Sequence, residues 1–247
     1  MSGHPLDHAV LNALTTRQSG LAMSHGGVLR FEPDHALFAA AYPGTPARDW
    51  VELARTTGPL AMFEPGALVP AGLTETGRID CLQMICSQLR AGGGTMAYDQ
   101  LGDADGPEML ALATLTQPGP FFSRTHRLGS FIGIREGGRL IAMAGERLKL
   151  EGFSEVSGVC THPDRRGLGY AGVLMRAVTQ RILDDGQVAF LHVRESNTAT
   201  IAFYQTLGFE PRTSSSYIVM EPAAGVQERD AGGGEAPSHA TRPLPRG

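Results

Sequence analysis

Between residues 108 and 221 the apolar positions fall into short runs whose spacing alternates between the period of a strand and that of a helix. EMLALATL (108 to 115) predicts a helix, ended by Gln117-Pro118-Gly119-Pro120. GSFIGIRE (129 to 136) and RLIAMAGERLKL (139 to 150) flank Gly137-Gly138 and predict a hairpin. FSEVSGVCT (153 to 161) predicts a third strand, followed by a glycine-rich segment. A helix comes next, with its apolar stripe at Leu168, Ala171, Leu174, Met175, Val178 and Ile182, ended by Asp184-Asp185-Gly186. QVAFLHV (187 to 193) predicts a buried strand. Asn197 or Thr198 caps a helix through Ala202, Tyr204 and Leu207, and Gly208 stands where a left-handed C-terminal residue belongs. SSYIVME (215 to 221) predicts a last strand.

The first hundred residues are less regular. GVLRFEP (27 to 33) and PLAMFEP (59 to 65) predict short strands closed by proline, and ARDWVELARTT (47 to 57) predicts a helix. IDCLQMICSQL (79 to 89) fits strand or helix. AGGGT (91 to 95) and LGDADGP (101 to 107) have little to bury and predict a boundary. The expected organisation is an N-terminal αβ domain of unknown role over 1–100, a second domain over 106–222, and a disordered tail over 223–247, where Val226 and Leu244 are the only large aliphatic residues.

At 247 residues and 42% hydrophobic composition the chain has enough material for one large core or two modest ones. A net charge of -4 with no basic run longer than Arg165-Arg166 argues against nucleic acid or an anionic membrane as partner. No run approaches the roughly 18 apolar residues of a membrane span, and a cytoplasmic protein is expected. Cys81, Cys86 and Cys160 form no C-x-x-C pair, so neither a zinc site nor a disulfide scaffold is predicted, and no metal is expected. Lys149 is the only lysine, which leaves no other for Schiff-base chemistry.

The candidate chemistry lies at Gly167-Leu168-Gly169-Tyr170-Ala171-Gly172, which satisfies the dinucleotide pattern G-x-G-x-x-G. Glu195, beyond the next predicted strand, is placed for a ribose hydroxyl, and Arg194 for a 2'-phosphate. Against that reading, His162-Pro163-Asp164-Arg165-Arg166 separates the strand from the first glycine. Only a short length of predicted structure remains downstream to complete a parallel sheet. The alternative is a pyrophosphate cradle of coenzyme A type. The N–H groups of Gly167 to Ala171 and the positive end of the following helix would hold the anion, with Arg166 adding charge.

VSGVCTHPDRRGLGYAGVLM resembles the acyl-CoA signature of the GNAT superfamily of N-acetyltransferases, with Arg166, Gly169 and Ala171 at its consensus positions. LHVRESNTATIAFYQTLGF is similar to the second signature of that superfamily, through Asn197, Ala199 or Ala202, Phe203, Tyr204, Leu207, Gly208 and Phe209. The resemblance covers roughly 106 to 222 and extends to a bacterial branch with an additional N-terminal half. It implies an α/β (α+β) fold with a mixed, mostly antiparallel sheet flanked by helices. The implied activity is transfer of an acetyl group from acetyl-CoA to a primary amine by direct attack, the acceptor being a small molecule or peptide. A catalytically silent acyl-CoA-binding module stays open as the second reading, and a homodimer is possible.

The resemblance also implies roles for residues. The backbone of Val159, Cys160 and Thr161 would bind the pantetheine arm. Arg165, Arg166, Gly167, Leu168, Gly169, Tyr170 and Ala171 would hold the pyrophosphate, and Asn197 and Tyr204 would complete the cofactor site. Tyr204 matches the tyrosine proposed as acid toward the leaving thiolate. Glu155, which shares a strand face with Ser157 and Val159, is the leading carboxylate base, and Glu146 is the runner-up. His162, in a turn-shaping His-Pro, and His192 are weaker candidates. Phe121 and Phe122 fall where an acceptor-binding segment lies, as pocket lining or loop anchor.

Overall fold

The computed structural model describes residues 3–224. The expected tail falls, from residue 225 onward, outside the described residues. In chain order the elements are α1 (Ala9–Thr15), β1 (Ala22–His25), β2 (Val28–Phe31), β3 (Ala39–Ala41), α2 (Ala47–Thr57), β4 (Leu60–Glu64), β5 (Leu73–Cys86), β6 (Asp99–Leu101), α3 (Gly106–Thr116), β7 (Phe131–Glu136), β8 (Arg139–Leu150), β9 (Phe153–Thr161), α4 (Tyr170–Asp184), β10 (Val188–Arg194), α5 (Thr198–Leu207) and β11 (Glu210–Pro222). Strands β1 to β3 form a small sheet, and the other eight line up as β4-β11-β5-β10-β9-β8-β7-β6. Every neighbouring pair in the large sheet is antiparallel except β10 with β9. A dinucleotide fold needs several adjacent parallel strands. With a single parallel pair here, that reading of Gly167 to Gly172, with Arg194 and Glu195, is ruled out.

Residues 79 to 86, whose spacing fits strand or helix, are strand because strands lie on both sides. β5 pairs with β11 from Leu73 to Ile85 and with β10 from Cys81 to Cys86, so its backbone polar groups are satisfied laterally. The sheet therefore crosses the boundary expected near residue 100. β5 precedes that boundary in sequence yet stands between β10 and β11, which follow it. On the other edge β6, inside the expected linker, pairs with β7.

Alternation along the strands sorts the core into two layers. Ile132 and Ile134 of β7 and Ala189, Leu191 and Val193 of β10 pack with Leu174, Met175 and Val178 of α4 and Leu207 of α5. Phe131 and Phe190 point the other way. Phe131 packs with Met109 and Leu112 of α3, and Phe190 joins Val10, Ala13 and Leu14 of α1 together with Tyr217 and Phe63.

Candidate active site

The parallel pairing of β9 and β10 holds only for Phe153, Ser154 and Glu155 against Val188, Ala189 and Phe190. Beyond those residues β9 follows β8 and β10 follows β5, so the two strands diverge. The cause is local. Between Cys160 and Ser157, β9 carries one residue more than the facing stretch of β8, and Gly158 absorbs it at φ 65°. A Cβ at Gly158 would lie 2.8 Å from Cε1 of Phe131, so the bulge needs glycine for space as well as for conformation. A cavity of about 500 Å³ opens in the wedge, lined on one side by Val156 to Thr161 and on the other by Leu191 to Arg194. The inner edges of both strands face it without a partner strand. Thr161 Oγ1 is sealed from solvent and hydrogen-bonded to nothing among the described residues.

The glycine loop closes one end. His162 is buried and accepts a hydrogen bond from the Asp164 amide, so it caps the turn that starts the loop. Gly167 and Gly169 both adopt positive φ, 80° and 85°. Gly169 is the N-cap of the 15-residue α4 and offers no side-chain cap, so the first-turn N–H groups stay free for an anion. A Cβ at Gly167 would meet nothing within 4 Å, and one at Gly169 only Met96 Cε at 4.0 Å. Of the residues expected to bind cofactor, Val159, Cys160, Thr161, Arg166, Ala171, Asn197 and Tyr204 line the cavity. Gly167, Leu168 and Gly169 form the loop above it. Arg165 and Tyr170 direct their side chains elsewhere: Glu136 at the end of β7 accepts from Arg165 Nε at 2.6 Å and from the Tyr170 hydroxyl, which ties the loop down. Asn197 Oδ1 caps α5 by accepting from the Thr200 amide at 3.2 Å.

Tyr204 lies on the wedge with its hydroxyl bonded to no group among the described residues. Burial pushes its pKa up to about 12. Burial likewise lifts the Cys160 thiol to about 11, which leaves it protonated and unreactive at neutral pH.

The other end of the cavity differs from expectation. Glu155 is fully buried and is not part of the lining. Arg147, from a second bulge where β8 gains a residue on β9, grips it with two hydrogen bonds of 2.8 and 2.7 Å. His192 Nδ1 lies 2.7 Å from the same carboxylate. Burial alone would raise the Glu155 pKa, but the Arg147 charge, its two bonds and His192 bring it down to about 2. Burial holds His192 below its ordinary value, against the pull of Glu155. Its Nε2 meets Gln83 Nε2 at 3.0 Å, and Gln83 Oε1 accepts from Arg212, which pairs with Asp7 at 2.7 Å. A neutral imidazole that donates from Nδ1 and accepts at Nε2 satisfies every group in this chain. The Glu155 carboxylate is thus held by Arg147 and His192, and both nitrogens of His192 have partners. Glu146, the other candidate base, is also outside the lining and is held at 2.7 Å by both Arg181 and Lys149.

Phe121 meets Phe131 edge-on at 5.7 Å, and neither Phe121 nor Phe122 lines the cavity. The walls beyond the wedge come instead from Phe63, Ile79, Cys81 and Tyr217. The spacing gave no sign of these. Among the described residues no cluster of side chains suits a metal ion, and no helix is long and apolar enough to cross a membrane.

Comparison with known proteins places this geometry. The family model described as FR47-like protein matches residues 131–218. A solved structure of a GNAT-family protein from Novosphingobium aromaticivorans is 37% identical, with a TM-score of 0.82, covering 90% of this chain and 100% of that one. A GCN5-related N-acetyltransferase from Kribbella flavida shares the fold at 19% identity and a TM-score of 0.58, over 88% of this chain and 97% of that one. No curated protein matches the sequence.

Proposed function

The chain belongs to the GNAT family of acyltransferases, and from that membership we propose that it transfers an acetyl group from acetyl-CoA to a primary amine by direct attack. The observation that supports this most is the β9–β10 wedge with the glycine loop at one end and Tyr204 on its wall. The site fits coenzyme A: open space over Gly167 and Gly169, an orphaned Thr161 hydroxyl, and Arg166 without an ion pair among the described residues. When bound, acetyl-CoA supplies a thioester, an electrophilic acyl carbon with a thiolate as leaving group.

The chain's own groups do the rest. The α4 N-terminus and Arg166 hold the pyrophosphate, and the backbone of Val159 to Thr161 takes the arm as a strand would. Tyr204, protonated through neutral pH, gives its proton to the departing sulfur. No carboxylate base is needed at Glu155 or Glu146. The lining contains Arg147, Arg166 and Arg194 and no Asp or Glu, so the acceptor amine meets cations that disfavour its protonated form. Its proton leaves to water.

Gly169→Val tests the reading. It forces a β-branched residue to φ 85° and fills the cradle, so calorimetry should show loss of measurable CoA affinity. Unchanged affinity would sink the proposal. CoA binding by the unaltered protein without thiol release on any amine would instead leave the silent-module reading.

A further inference from the structure

Arg147 is 93% buried by its 7% residual exposure, yet one of its nitrogens is unspent. Nε and Nη2 go to Glu155, and the guanidinium lies 4.8 Å over the ring of Phe38. Nη1 bonds to nothing among the described residues, is not sealed from solvent, and belongs to a side chain on the cavity wall. Arg194, opposite Cys81 across β10 and β5, lies on the same wall without an ion pair among the described residues. Arg194 faces Cys81 across the two strands, the Arg147 guanidinium lies 6.0 Å from the centre of the Phe63 ring, and that ring lies 5.6 Å from Tyr217, so these groups share one stretch of wall. Among the described residues no Asp or Glu lines the cavity, and Glu155, behind the wall, is held by Arg147.

From this we infer that the acceptor is an amine bearing a carboxylate, an amino acid rather than a polyamine or a polycationic sugar. The inference rests on the acetyl-transfer reading and adds the acceptor's class. One carboxylate oxygen accepts from Arg147 Nη1, Arg194 adds charge at the rim, and Phe63 and Tyr217 flank the substituent. A charge-assisted bond from an arginine on the cavity wall favours the carboxylated acceptor, because an acceptor without the oxyanion displaces water from the same nitrogen and returns no hydrogen bond. Polycationic acceptors meet like charge at the same place.

The experiment compares acceptors in pairs that differ only in the carboxylate: phenylalanine with phenethylamine, and tyrosine with tyramine, with spermidine as the polycation. Thiol release from acetyl-CoA should give a kcat/KM about 10- to 100-fold higher for the carboxylated member. Calorimetry with 3-phenylpropanoate, which lacks the amine, should show binding to the CoA-loaded protein and competition with the amino acid. Arg194→Gln, at the exposed rim, should narrow the gap within each pair. Arg147→Lys, which keeps a cation for Glu155, should narrow it further if thermal melting shows the fold intact. Equal rates within pairs, preference for spermidine, or absence of 3-phenylpropanoate binding would overturn the inference. Failure of the acetyl-transfer reading is separate: it appears as absent CoA binding and absent thiol release, while 3-phenylpropanoate titrated into the protein alone still tests the arginine pocket.

Discussion

Glu155→Gln separates the two roles available to this carboxylate. In the folded chain Glu155 titrates at about 2, against an ordinary value of 4.5. At 1.36 kcal/mol per pKa unit its ionised form is worth about 3 kcal/mol of stability at pH 7. Removing one member of a buried ion pair costs about 3–5 kcal/mol by independent reasoning, because Arg147 is left charged without a counter-ion. The two magnitudes agree. The folded pKa lies below the unfolded one, so the contribution is complete above about pH 4.5 and fades as pH falls toward 2. At pH 3 about 2 kcal/mol of it should be gone. The assay is urea unfolding followed by the fluorescence of Trp50, the sole tryptophan and a buried one. At pH 7 the variant should unfold about 1–3 M earlier in urea. The gap between unaltered protein and variant should shrink by about 2 kcal/mol at pH 3. A variant of unchanged urea midpoint whose kcat falls a hundredfold would refute the reasoning, and would make Glu155 the base after all.

Three further outcomes follow from the same geometry. Tyr204→Phe removes a hydroxyl that bonds to no group among the described residues, so the melting temperature should hold within about 2 °C while kcat falls about 100-fold or more; an unchanged kcat would exclude the acid role. The pH profile of kcat/KM should rise with deprotonation of the acceptor amine and show no break near 6.5, because burial holds His192 below its ordinary value; a break there that vanishes in His192→Asn would identify the histidine as base. A fragment over 106–224 lacks β5, which leaves β10 and β11 with unpaired edges at the centre of the sheet. It should be insoluble or unfolded by circular dichroism, and a soluble, cooperatively melting fragment would show that the first hundred residues are dispensable to the fold.

Much of the wedge was legible in the sequence. A glycine that must reach positive φ, an N-capping Asn197 and a strand-loop-helix order are local properties, and Gly167, Gly169, Asn197 and Tyr204 are where those properties put them. The pairing of Glu155 was not legible. Period-2 alternation puts Glu155 on a face, but it is silent on whether that face meets solvent, substrate or a partner. The partner, Arg147, reaches it through a bulge that shifts the register of β8 against β9, and bulges leave little mark on a hydrophobic pattern. Gln83 lies in a segment whose spacing fits strand or helix, and its purpose needed His192 from a strand 109 residues away.

The sequence by itself determined the elements downstream of residue 106, the glycine cradle and the family likeness, because each depends on neighbours a few residues apart. Only the tertiary structure decided that β5 belongs inside the catalytic sheet and that Glu155 is bound to Arg147 rather than free. It alone showed a cavity end walled by Phe63, Tyr217, Arg147 and Arg194. Strand neighbours and buried ion pairs are chosen by which distant segments satisfy backbone hydrogen bonds and desolvated charge most completely. That competition is settled across the whole sheet, not within any window of sequence.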